Sequence, residues 1–152
     1  MQRSRSWIHA IPTRSYTTRT DCRSDRGRYT SAILAILWRE LEAEDFKAAI
    51  IGSDGVVMSA ATRLECFIVC MRRGGSAVVR EMEGLLTGLN VVTAPFDDTQ
   101  LTTARDAFTR FGRGRHGLNY GDCFSYALAK ARDLLLLFKG ENFAATDVKR
   151  AV

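Results

Sequence analysis

From Ser31 onward the apolar positions switch repeatedly between helical and strand spacing. Ala32, Ile33, Ala35, Ile36, Leu37, Leu41 and Phe46 recur at helical intervals as far as Ile51, which predicts two short helices broken near Glu42 to Asp45. Gly52-Ser53-Asp54-Gly55 is a turn, and Val56-Val57-Met58 is a short buried strand. Ser59 is placed to cap a helix over Ala60 to Arg72 that Gly74-Gly75 ends. Ser76 is placed to cap the next, in which Val78, Val79, Met82, Leu85 and Leu86 keep helical spacing to Gly88. Asn90 to Thr93 reads as a strand closed by Pro95, and Asp97-Asp98 opens a helix carrying Ala104, Ala107, Phe108 and Phe111. A basic glycine loop, Gly112 to Gly117, leads to a further helix in which Phe124, Ala127, Leu128 and Ala131 form one apolar face. Leu135 to Phe138 is then an apolar strand running into a polar turn.

Helices alternating with short apolar strands predict an α/β domain with a mostly parallel sheet. In open sheets of this kind, sites form beyond the carboxyl ends of the strands. Three acidic segments fall at such places: Glu65, inside the helix after the first predicted strand; Asp122, in the first turn of the helix that follows Gly121; and the Glu141 to Asp147 segment after the last strand. Asp122 has a plain reading as an acid favoured by the positive end of the helix dipole, with Gly121 allowing a tight turn before it. Several acids packed together repel one another without a cation, so a cluster drawn from these segments points to a metal ion.

Composition changes this picture in two ways. Among residues 1–28 there are seven Arg and two Asp, whereas residues 29–152 hold fifteen basic and fifteen acidic side chains, so the formal charge of +5 belongs wholly to the amino-terminal stretch. The remainder is balanced, and RNA affinity there has to come from a local patch, for which Arg110, Arg113, Arg115 and His116 are candidates beside a plain solvated-loop reading. Residues 1–28 lack Lys and are apolar only around Trp7 to Ile11, which predicts a disordered tail ahead of a domain over 29–152. With 46% hydrophobic residues that domain has enough for a packed core. No run approaches the roughly 18 apolar residues of a membrane span, so a soluble protein is expected. Four cysteines without a secretory signal predict free thiols, and Cys66 and Cys70, four apart on one helix, read as core thiols rather than the start of a zinc site.

Three motifs in order, Thr30-Ser31-Ala32-Ile33-Leu34, Ala61-Thr62-Arg63-Leu64-Glu65 and Asn119-Tyr120-Gly121-Asp122-Cys123-Phe124-Ser125-Tyr126-Ala127, followed by the polar turn Gly140-Glu141-Asn142, make the chain from about Thr30 onward resemble the PIN-domain ribonucleases. Within them it is most similar to the VapC-type toxins of bacterial toxin–antitoxin pairs. The resemblance implies a three-layer domain with helices on both faces of the sheet. It also implies a ribonuclease dependent on Mg²⁺ or Mn²⁺, an RNA substrate, a cognate antitoxin, a homodimer and a prokaryotic cytosolic location. Its second and third acids map to Glu65 and Asp122, and its fourth falls on Asn142, with Glu141 or Asp147 as stand-ins.

The first acid of the family ends the central first strand, and here Tyr29 stands in its place. The stretch Asp25-Arg26-Gly27-Arg28-Tyr29 puts two guanidiniums where a strand covered on both faces is nearly all apolar, and burying them unpaired costs on the order of several kcal/mol each. The first strand is therefore expected to be missing or altered, with Trp7 to Ile11 as a distant substitute. Gly27-Arg28-Tyr29 can be encoded GGT CGA TAC, whose next frame reads Val-Asp-Thr, so a frameshift or misassigned start accounts for both the Lys-free tail and the lost acid. Two functional expectations follow: a metal-dependent endoribonuclease toxin built on Glu65, Asp122 and Asn142, or a degenerate module that retains dimerisation or antitoxin binding but cuts nothing.

Overall fold

The structure is a computed structural model and describes residues 7–9 and 32–151. In chain order the elements are β1 (Trp7–His9), α1 (Ala32–Leu37), α2 (Ala43–Ile51), β2 (Val56–Ser59), α3 (Ala60–Gly88), β3 (Val91–Ala94), α4 (Asp98–Phe111), α5 (Tyr120–Arg132) and β4 (Leu135–Leu137). The strands form one parallel sheet in the order β3-β2-β1-β4. Residues alternate across it: Val56, Met58 and Leu137 enter one apolar cluster with α1, α2 and α3, whereas Val57 and Leu136 enter a second with α4 and α5. Helices thus cover both faces of the sheet, and each face closes its own core.

The first strand is altered rather than missing. Trp7–His9 supplies it, with Trp7 opposite both Val56 and Leu135. The physical reason is the sheet itself: β2 and β4 would each leave backbone amides and carbonyls unpaired at its buried centre without a strand between them. Three residues from the stretch expected to be a disordered tail therefore belong to the sheet. The remainder of residues 1–31, including Tyr29 and the Thr30-Ser31 pair, lies outside the described residues. At the other end, Leu136 exchanges backbone hydrogen bonds with the carboxyl-terminal stretch, donating to the Lys149 carbonyl at 2.8 Å and accepting from the Ala151 amide at 3.0 Å. That bridge covers the outer edge of β4.

The two helices expected on either side of Gly74-Gly75 are one element with a break. Gly75 has φ 64° and ψ −157°, a combination open to glycine and strained for any L side chain. The break lets the second half fold back, so that Met82 and Leu86 share a core with Cys66 and Cys70 from the first half. Gly84, by contrast, lies in regular helix with open space where a Cβ would stand. Two substitutions in the same helix are therefore expected to act with opposite sign. Gly75→Ala destabilises by about 1–3 kcal/mol through backbone strain, while Gly84→Ala stabilises by roughly 0.5–1 kcal/mol through lost unfolded-state freedom. Chemical denaturation midpoints of the two variants check this.

Candidate active site

Two helices that start at the carboxyl edge of the sheet bring the candidate acids together. Ser59, fully buried at the end of β2, caps α3 by accepting from the Ala61 amide at 3.3 Å. One turn in, the Thr62 hydroxyl lies 3.2 Å from the Ser125 hydroxyl of α5, a buried polar contact that fixes the two helices against each other. Glu65, one further turn along α3, is thereby carried onto the first turn of α5. A Cβ added to Gly121 would stand 2.8 Å from both Glu65 carboxylate oxygens. Gly121 does not make the turn expected of it, because it lies within α5 and is not among the residues of positive φ. Its function in the structure is to leave space for Glu65.

Asp122 is the third residue of α5 and is 1% exposed. Its Oδ2 accepts hydrogen bonds from the Asn119 backbone N–H at 3.0 Å, from the Asn119 side chain, and from the Asn142 side chain at 2.9 Å. In return the Asn119 carbonyl oxygen of the side chain accepts from the Asp122 amide at 3.0 Å, completing a reciprocal cap. The plain capping reading of Asp122 is therefore correct for one of its oxygens. The other, Oδ1, is buried and has no hydrogen-bond partner. An unsatisfied buried carboxylate oxygen is costly, and beside a second carboxylate more so.

The electrostatics follow from that crowding. Burial, and then the neighbouring Asp122 charge, push Glu65 up to about 7. Burial likewise pushes Asp122 up to about 6, against the hydrogen bonds from Asn142 and Asn119, which favour its ionised form. Both acids thus hold protons far more tightly than in water. An oxygen-preferring divalent cation is the kind of ligand that relieves both penalties at once, and the free Oδ1, the adjacent Glu65 carboxylate and the Cβ-free cradle at Gly121 fit such an ion.

The polar turn after β4 divides its residues. Gly140, at φ 93°, adopts a conformation that favours glycine, and Phe143 is buried in the second core, so Asn142 between them reaches Asp122. Glu141 is exposed. Asp147 is turned to the other side of α5, where its carboxylate accepts from the Tyr126 hydroxyl at 2.6 Å and pairs with Lys130 at 3.2 Å. The Tyr126 bond is the chief cause holding Asp147 below the usual carboxylate range. Neither stand-in joins Glu65 and Asp122. Among the described residues no group of three or more His, Cys, Asp or Glu side chains gathers to hold a metal ion.

Two contributors escaped the sequence reading. Asn119 was passed over, although an Asn three residues ahead of an acid is itself a capping-box signal. Thr62 carries no signal of its own, since only the packing of α3 on α5 gives its hydroxyl a partner. The Ser125 hydroxyl has the Thr62 hydroxyl as a neighbour. Cys66 and Cys70 are buried in the first core and Cys123 in the second, and Arg113, Arg115 and His116 lie exposed on the loop before α5.

Comparison with known proteins agrees with this architecture. Residues 30–149 match the PIN domain family. The chain is 47% identical over 121 residues to Ribonuclease VapC of Mycolicibacterium smegmatis, covering 78% of this chain and 94% of that protein. It is 44% identical over 121 residues to Ribonuclease VapC30 of Mycobacterium tuberculosis, covering 78% and 92%, and 41% identical over 126 residues to Ribonuclease VapC28 of the same organism, covering 81% and 95%. The crystal structure of Mycobacterium tuberculosis VapC20, a sarcin-ricin loop cleaving toxin, superposes with a TM-score of 0.62 at 15% identity over 77% of this chain and 92% of that one, a likeness of fold. A family match over most of the chain, relatives above 40% identity and a shared fold together mean that the chain belongs to the PIN-domain family, in its VapC-type branch of toxin ribonucleases.

Proposed function

We propose that this protein is a divalent-metal-dependent endoribonuclease toxin that hydrolyses RNA phosphodiesters in a prokaryotic cytosol and is held in check by a cognate antitoxin protein. It is proposed to act as a homodimer, and no helix among the described residues is long and apolar enough to cross a membrane. The observation that carries the reading is the buried, unpartnered Oδ1 of Asp122 beside the Glu65 carboxylate. In this reading Asp122, through Oδ1, and Glu65 hold Mg²⁺ or Mn²⁺, while Asn142 and Asn119 fix Oδ2 and so orient the carboxylate. A bound divalent ion supplies positive charge against the scissile phosphate and makes water at the site more acidic. Glu65, whose carboxylate lies over Gly121 at the start of α5, would be placed to take a proton from the attacking water. Asp147 and Glu141 are not proposed as ligands, because Asp147 is occupied by Tyr126 and Lys130, and Glu141 is exposed.

A second reading is favoured by the fact that only two acids meet among the described residues, and that Asn142 stands where the family's fourth acid is expected. In that reading the chain keeps its partners and has lost cleavage. RNA cleavage with Mg²⁺ or Mn²⁺ separates the two. Cleavage by the chain as written, abolished by EDTA and by Asp122→Ala and lowered on the order of 100-fold or more by Glu65→Gln, is the expected result. Cleavage by Tyr29→Asp alone favours the second reading, and cleavage that survives Asp122→Ala removes this site from the mechanism.

Gly121→Ala tests the same geometry without loss of a charged group. The intruding Cβ meets only the end of the flexible Glu65 side chain, so the melting temperature is expected to stay within about 2 °C while metal affinity, read by titration calorimetry, falls about tenfold. In EDTA, Asp122→Asn is expected to raise the melting temperature, because it replaces a buried charge with an unmet oxygen by a neutral amide. Relief of about 1–3 kcal/mol corresponds to roughly 2–10 °C for a chain of this size.

A further inference from the structure

The first turn of α5, which carries Asp122, also begins a row of rings that the proposed chemistry does not use. Tyr120, the first residue of α5, is 77% exposed. Its ring meets Phe124, one turn on, edge to face with centroids 4.9 Å apart at 87°. Phe124 in turn meets Phe96 at 4.8 Å and 88°. Phe96 lies in the segment after β3 and packs against the second core. The row is thus anchored at one end in the interior and ends at the other in a ring open to solvent. Tyr120 directly precedes Gly121, against which the Glu65 carboxylate lies, so the open ring is borne on the same first turn of α5 as the acidic pair.

Residues 29–152 have little overall electrostatic hold on RNA, since they carry equal numbers of basic and acidic side chains and the site itself is acidic. Stacking does not depend on charge, and every nucleobase has a face to offer. A solitary exposed tyrosine needs no explanation. One held edge to face by Phe124, which Phe96 holds in turn, keeps its orientation, and so loses little freedom on accepting a base. From this arrangement we propose that Tyr120 is a stacking platform for an unpaired nucleobase of single-stranded RNA, next to the phosphate to be cut. The inference rests on the nuclease reading above and adds to it a substrate-binding residue and a preference for unpaired RNA at that position.

The test combines steady-state cleavage with fluorescence of RNA oligonucleotides about ten residues long, each carrying 2-aminopurine at one position and bound to the full chain in an Asp122→Asn background. With Tyr120 intact, one position is quenched by stacking. Tyr120→Ala is expected to raise KM about tenfold with little change in kcat and to abolish the quench, Tyr120→Phe to preserve both, and Tyr120→Leu to behave as the alanine variant. An exposed side chain can be truncated without unfolding the protein, and melting curves verify that. Unchanged KM and quench in Tyr120→Ala, a leucine variant equal to the parent, or an effect seen only as altered self-association in sedimentation each overturns the proposal. Failure of the nuclease reading looks different: the chain with Tyr120 intact then cuts no RNA under any divalent ion.

Discussion

Two neighbouring carboxylates, Asp122 buried and Glu65 half-buried, are the constraint on which this structure turns. Nothing in the immediate chain favours that proximity. It is imposed by the seating of α3 on α5, through the buried Thr62 and Ser125 hydroxyls and the apolar clusters on either side of the sheet. Packing contributes tens of kcal/mol over a domain, so it can carry a local electrostatic penalty of a few. Such a penalty is retained where a ligand relieves it, and acids with strongly raised proton affinity in a cradle of this kind are a functional signature for that reason. The two asparagines complete the arrangement by occupying one oxygen of Asp122 and leaving the other open.

The sheet decides where this happens. β1 stands at the centre, the chain winds outward through β2 and β3, then returns to place β4 on the opposite side of β1. The order of strands reverses there, and the segments leaving the carboxyl ends of neighbouring strands diverge. Glu65 follows β2, Asn142 follows β4, and Asp122 rides on the helix between β3 and β4. Residues distant in sequence therefore share one edge because parallel strands all end on the same side.

Much of this was legible in the sequence, for identifiable reasons. The short helices and strands were marked by punctuation with clear physical content: Ser59 at a helix start, Asp97 as a cap, and Pro95 after a strand. Glu65 and Asp122 were found because helix acids beyond strand ends coincide there with the motifs through which the chain resembles the PIN-domain ribonucleases. Gly121 was misassigned because a glycine that spares room for a distant side chain looks, in one dimension, like a glycine that turns the chain. Asp147 was a substitute ligand implied by the resemblance, but the buried Phe143 anchors the turn so that the later residues run back toward Tyr126 and Lys130. Trp7–His9 was discounted because three residues carry almost no periodic signal, and strand pairing across most of the chain is invisible to local pattern.

That central strand also bears on how the protein comes into being. Trp7 pairs with Leu135, 128 residues further along the chain. Contacts of such wide separation form slowly, because a long loop must close before they contribute. Glu65, Asp122 and Asn142 share an edge only once β4 and the turn after it have joined β1, so that edge forms late in folding and not within any local segment.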